Sequence, residues 1–384
     1  MTATLDMTAT ERESEVVALA EDLGRQIAPF TGEHDRNGTF VTEAYEILAA
    51  AGWFRLAVPE ELGGRGATIR DVAMAQRALA RHDAAAALAS VMHQHVVLFT
   101  AWRYRRDLPG AEATLRKVAD DGIVLVSTGG ADQTRPRGRA EKVDGGYRVS
   151  GRKTFCSQAP VGSVMSTMFP FEDPDEGTLV LNMAVPMGEG VTVLDNWDAL
   201  GMRGTGSHDV EIDDVFVPDD KVLARRPHGK VDQPLQVIFS IAFPPISAVY
   251  LGVAEAARDH AVAAVAGTPR ALDPSIQRSV GLMDTRLQIA GWALDGALDV
   301  VGDDPGPSLT TVRAVMAAKR EIALAGVEVC DLAMDVAGGP AFYRASPIER
   351  SYRDIRGAKF HPYGPEETLT RAGLLALDLP ADER

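Results

Sequence analysis

Few side chains in this sequence have the type and spacing that chemistry requires. Histidine exchanges its proton near neutral pH. His93 and His95 stand two residues apart in an alanine-rich run, and His361 precedes Pro362 near the C-terminal end. A lone histidine in a helix is usually a packed one. Cys156 and Cys330 are the only cysteines; their contexts give neither a disulfide framework nor a zinc-ligand spacing. Arg350, Arg353 and Arg356 recur at helical spacing beside Glu349 and Asp354, a pattern that usually marks a solvated helix face with local ion pairs. No G-x-G-x-x-G follows a strand-like run, which disfavours a dinucleotide-binding turn.

These residues must be positioned by a chain of 384 residues, 46% of them hydrophobic, which is enough for two or three packed units. The formal net charge of -15 argues against a nucleic-acid partner, because phosphate binding needs a basic surface. The opening MTATLDMTAT lacks a basic region followed by an apolar run. No apolar stretch reads as long enough to span a membrane. A reducing, cytoplasmic setting is the default expectation.

The pattern groups helices, then strands, then helices again, which predicts an α+β chain rather than alternating βαβ units. Thr10 and Glu13 have capping-box spacing ahead of Val16, Val17, Leu19 and Leu23. Further helices are predicted over 42–51 and 71–102, the latter breaking near His82 and Asp83. Strands are expected over 123–128, 178–185, 191–194 and 210–217, with a hairpin over 141–149 around Asp144, Gly145 and Gly146. Helices return after Asp232: one with Ile246, Val249, Tyr250, Val253 and Ala257 on one face, one over 275–298, and one over 309–337 stopped by Gly338, Gly339 and Pro340.

Residues 195–218 read DNWDALGMRGTGSHDVEIDDVFVP. This block resembles the signature of the acyl-CoA dehydrogenase superfamily: an L-G-x-R turn, small and hydroxyl residues, then V-x-x-x-D-V-x-V-P. Other segments are similar to that family in the same order, namely AVPEELGG at 57–64, SGRKTFCSQA at 150–159 and GGPAFYRASPIERSYRDIR at 338–356. The resemblance implies an N-terminal helical domain (1–122), a middle β-barrel domain (123–232) and a C-terminal four-helix bundle (233–384). It also implies a flavin cofactor. The positions that match the family's flavin contacts are Val126, Ser127, Thr128 and Gly129, then Phe155, Cys156 and Ser157, with Ser157 as the hydroxyl near flavin N5. Gly338 and Gly339 match the pair that approaches the adenosine of FAD, and a homodimer or homotetramer is implied. Cys156 itself reads as a small packed residue.

Two positions depart from the family. The catalytic glutamate expected after the R-D motif is replaced by Pro362, between His361 and Tyr363, and the helical stretch 239–249 that carries it in a minority of members has no acid. The R-x-x-F-G motif that holds FAD pyrophosphate is reduced to Arg270. Both departures resemble the flavin-monooxygenase branch that includes dibenzothiophene monooxygenase. Its members take reduced FMN from a flavin reductase and use O2, through a flavin hydroperoxide, to oxygenate a small molecule. On that reading His93 (or His95), His361 and Ser157 are the catalytic candidates. The alternative is an acyl-thioester dehydrogenase that passes electrons to an electron-transfer flavoprotein, with Glu366, Glu367 or His361 as a relocated base. A third reading is an inactive scaffold, against which the hydroxyls Ser127, Thr128 and Ser157 speak.

Overall fold

The computed structural model describes residues 11–128, 130, 133–377 and 379. Thr10 of the capping box and Gly129 of the flavin-edge segment therefore lie outside the described residues.

The N-terminal part holds α1 (Glu11–Asn37), α2 (Thr42–Ala50), α3 (Ile69–Ala80), α4 (Ala84–Tyr104) and α5 (Ala111–Asp120). The expected break near His82 is the α3–α4 junction. Asp83 caps α4 by accepting from the Ala86 N–H at 2.8 Å, which satisfies one of the first-turn donors that a helix start leaves unpaired.

The middle part holds β1 (Leu125–Ser127), β2 (Arg139–Val143), β3 (Gly146–Lys153), β4 (Val164–Asp173), β5 (Gly177–Pro186), β6 (Val191–Val193), β7 (Val210–Pro218) and β8 (Val222–Pro227). They form two four-stranded sheets, ordered β1-β4-β5-β8 and β2-β3-β7-β6. A shared apolar core of Val126, Val149, Met165, Leu181, Val210 and others lies between them. The β2–β3 hairpin turns at Asp144 and Gly145, where Gly145 takes a positive φ of 72°. Strands β4 and β8 were not expected. The first mixes methionine, serine and a proline with few β-branched residues, and the second ends in an Arg-Arg-Pro run. Pairing with β1 and β5 makes the first a strand and pairing with β5 the second, so tertiary context decides where propensity is weak.

The C-terminal part holds α6 (Gln233–Val265), α7 (Pro274–Val301), α8 (Leu309–Ala337), α9 (Pro347–Asp354) and α10 (Pro365–Ala376). α6 packs against α3, α7 and α8, so the helices at both ends of the chain share one core. Two helices, α4 and α6, are long and apolar enough to cross a bilayer by length and composition, contrary to the sequence expectation. Their apolar windows are 78% and 94% buried inside the protein. A helix that is apolar all round belongs in a large core as readily as in lipid.

The arginine ladder also differs from expectation. Arg353 is 5% exposed and makes a bidentate pair with Asp35 (2.8 and 2.6 Å), 318 residues away, besides holding Glu349. It stitches α9 to α1. Its backbone meets the L-G-x-R turn so closely that a Cβ on Gly201 would lie 2.3 Å from the Arg353 carbonyl oxygen. Only glycine fits there. The Met202 N–H donates to Asp354 Oδ1 at 2.5 Å across the same contact, and burial pushes the Asp354 carboxyl up to about 7. The two strongest sequence blocks therefore touch.

Candidate active site

The site is assembled where β1, α4 and the turn before α10 converge. His93 and His95, two residues apart on α4, both reach β1, the first at the Leu125 backbone N–H and the second at the Ser127 hydroxyl. His93 is fully buried, its Nδ1 accepting from the Leu125 N–H at 3.0 Å and its Nε2 donating to the Phe54 carbonyl at 2.7 Å. Burial pushes it down to about 4. Both ring nitrogens are engaged by backbone, so His93 has no atom left to offer a substrate. Of the two alternatives the sequence offers, His93 is held by the Leu125 and Phe54 backbone, and its neighbour His95 contacts Ser127. His95 is half-buried and its Nε2 lies 3.0 Å from Ser127 Oγ. Burial pushes His95 down to about 4, and His93 adds a smaller push in the same direction.

The segment after β3 presents the second hydroxyl group. Phe155 and Gln158 adopt positive φ, 56° and 59°, which is rare away from glycine. This kink buries Ser157 and leaves Phe155 66% exposed, edge-on to Trp197 at 5.9 Å. Ser157 Oγ shares a hydrogen bond with Ser207 Oγ at 2.8 Å, and Ser207 in turn with Thr205 Oγ1 at 2.6 Å. Ser157 is thus tied to the block at 195–218. Gln158 spans three elements, donating from its backbone to the Thr205 carbonyl and from Nε2 to the Leu125 carbonyl while accepting from Tyr45 OH. Cys156 is packed: burial pushes its thiol up to about 12, which makes it unreactive.

His361 is half-buried in the turn after α9. Its Nδ1 lies 2.7 Å from Tyr250 OH of α6. Burial pushes the imidazole down to about 3, with Lys319 and then His95 acting in the same direction. Gly130 abuts the same turn, since a Cβ there would lie 2.9 Å from Pro362 Cγ. His361, Ser127 and His95 thus come from one neighbourhood, whereas Gly338 and Gly339 lie at the far end of α8. There Gly338 has φ 73°, and Arg270 donates to the Ala337 carbonyl at 2.9 Å. Arg270 thus caps its own helix bundle.

No side-chain carboxylate joins these groups among the described residues. Glu366 and Glu367 are exposed on α10, and Glu367 pairs with Arg371 at 3.0 Å. Proton abstraction by a relocated glutamate has no acid in place. A flavin does fit the groups present. Its ring needs an apolar surface and its polar edge needs hydroxyl or amide partners. The exposed Phe155 ring, with the half-buried Trp197 ring against it, supplies the first; the hydroxyls of Ser127, Thr128 and Ser157 could supply the second. Val126 is fully buried in the β core, so it could contribute only its backbone.

Sequence reasoning missed Tyr250 and Lys319. Tyr250 was read as one more core residue on the apolar stripe of its helix. The available signal was a lysine at 319 in phase with the buried face Val312, Val315, Met316, Ile322 and Gly326.

Comparison with known proteins identifies the family. Residues 10–107 match the acyl-CoA dehydrogenase N-terminal domain and residues 245–363 its C-terminal domain. The L-evernosamine nitrososynthase of a Micromonospora species is 32% identical over 96% of this chain and 91% of its own length. A putative acyl-CoA dehydrogenase of Bacillus subtilis is 31% identical over 89% and 92%. The crystal structure of KijD3 in complex with FMN and dTDP-3-amino-2,3,6-trideoxy-4-keto-3-methyl-D-glucose superposes with a TM-score of 0.86 at 29% identity, covering 98% of this chain and 96% of that one. The chain is a flavin-dependent oxidoreductase and belongs to the acyl-CoA dehydrogenase superfamily.

Proposed function

We propose that this enzyme is a monooxygenase that takes reduced FMN from a separate reductase and transfers one oxygen atom of O2 to the nitrogen of a small amine. The reaction balances as amine, O2 and reduced FMN giving hydroxylamine, water and oxidised FMN. One observation carries the reading: the position of the dehydrogenase base is filled by His361 and Pro362, with no carboxylate facing the site among the described residues.

The flavin, when bound, supplies the two electrons. The protein's part is positional. Tyr250 retains its proton, since burial raises its pKa well above the ordinary phenol value. No other hydrogen bond joins that phenol among the described residues, so its O–H donates to His361 Nδ1. The imidazole proton then resides on Nε2, directed away from Tyr250. A neutral N–H donor of this kind can hold an oxygen atom or an amine lone pair without adding charge. His95, tied to Ser127, offers a second neutral imidazole. The preference for FMN over FAD is supported by Arg270, which is spent on the Ala337 carbonyl rather than extended towards a pyrophosphate. The amine is suggested by the relatives, an amino-sugar nitrososynthase and a structure holding an amino-sugar nucleotide.

The test is reconstitution with a flavin reductase, NADH, FMN and a panel of primary amines that includes amino-sugar nucleotides. Oxygen-18 from 18O2 should enter the amine product. Protein that instead copurifies yellow and bleaches anaerobically with an acyl-CoA would establish the dehydrogenase reading and end this one.

A further inference from the structure

Lys319 occupies the middle of α8 on its buried face and is itself 5% exposed. Among the described residues no carboxylate forms an ion pair with it. A buried cation without such a partner costs several kcal/mol, about what removing one member of a buried pair costs. The cation is held by carbonyls instead. Nζ donates to the His361 carbonyl at 2.9 Å and to the Tyr363 carbonyl at 2.9 Å, bracketing Pro362. The same lysine lines a small cavity with Ile246, Ser247, Tyr250, Ile322 and Ala323. Ser247 Oγ is buried there without a hydrogen-bond partner among the described residues.

We propose that Lys319 is a positioning residue for His361: its ammonium fixes the two carbonyls that flank Pro362, and its charge, with the Tyr250 hydroxyl, keeps His361 neutral with its proton on Nε2. The inference rests on the reading of His361 as the group that faces substrate. Three groups act on His361, namely Lys319 from α8, Tyr250 from α6 and His95 from α4, and the buried Asp354 carboxyl of α9 acts in turn on Tyr250. Glu367 of α10 acts on Lys319, opposing the burial that pushes the ammonium down to about 8. A like charge close to imidazole disfavours the imidazolium form. Two carbonyl acceptors on one ammonium also remove rotational freedom from the turn, which ring packing alone does not.

The experiment follows His361 directly, by NMR of the full-length protein labelled with 13C,15N-histidine, its resonances assigned by difference from His361→Gln. In Lys319→Met the His361 midpoint should rise by about one pH unit, and the acid limit of kcat/KM should rise with it. In Tyr250→Phe the 15N shifts should move from the Nε2–H tautomer towards a mixture. A folded Lys319→Met protein with an unmoved midpoint overturns the proposal, whatever its turnover. If that variant does not fold, the wild-type protein decides: the His361 resonances should inflect near pH 8 as Lys319 loses its proton, and a flat profile overturns the proposal. The parent reading fails separately, if His361→Ala retains wild-type turnover.

Discussion

His93 and His361 lie in two regions that invite the same description and differ in one respect. His93 is fully buried and His361 half-buried, and burial drives both well below the ordinary imidazole range. At the α4–β1 junction, however, His93 spends both nitrogens on backbone groups. In the turn before α10, His361 spends one on Tyr250 and, among the described residues, keeps the other. A depressed pKa therefore does not distinguish a histidine that builds the fold from one that can act on a ligand. The count of ring nitrogens left over does. By that count His95 goes with His361, with one nitrogen on the Ser127 hydroxyl.

The contrast breaks most directly at His361. His361→Ala should lower turnover about 10²- to 10⁴-fold, the usual worth of a positioned proton donor or acceptor, while flavin titration and the urea midpoint stay near wild type. A comparable loss of flavin affinity would place His361 in cofactor binding. His93→Ala should do the reverse. It leaves the Leu125 N–H and the Phe54 carbonyl unpaired, at a cost of about 2–4 kcal/mol in urea unfolding, with turnover per folded, flavin-loaded molecule within about threefold of wild type. Equal stability in the two proteins would remove the structural role assigned to His93.

Acid pH sharpens the difference. The buried histidines bind a proton more weakly folded than unfolded, so their contribution is complete above about 6.5 and is lost as pH falls through their folded values. For His93, whose folded value is about 4, the loss amounts to roughly 3 kcal/mol between about pH 6.5 and 4. Denaturation at pH 7 and pH 5 should show a shallower decline in His93→Ala than in wild type. Parallel declines would mean that His93 is not the group titrating. The smallest effect belongs to His95→Gln, which should cost less than about 1 kcal/mol of stability and about tenfold in turnover. A larger stability cost would class His95 with His93.

Much of this arrangement is readable from the sequence because its determinants are local. The Asp83 cap, the Asp144–Gly145 turn and the Gly338 stop each follow from one or two residues whose backbone preferences leave little choice. The hydroxyls at 127, 128 and 157 were legible only through resemblance. What stayed hidden depends on distant partners. Nothing near His93 in the chain announces that Phe54 and Leu125 will close both of its nitrogens. Nothing near Lys319 announces two carbonyl acceptors 42 and 44 residues onward. The same holds for the arginine ladder, whose middle member is drawn out of solvent by Asp35.

The apolar helix α6 has a consequence for how this protein is made. During synthesis it leaves the ribosome before α8 exists, and α8 supplies a large share of its final packing surface. For that interval the nascent chain carries an 18-residue window of mean hydropathy 1.9 with only part of its cover. Such a segment is a natural substrate for the chaperones that shield emerging chains, and a release or truncation point between Val265 and Leu309 would leave its cover incomplete. The helix that seats Tyr250 at the site is thus also where the unfinished protein is most prone to aggregate.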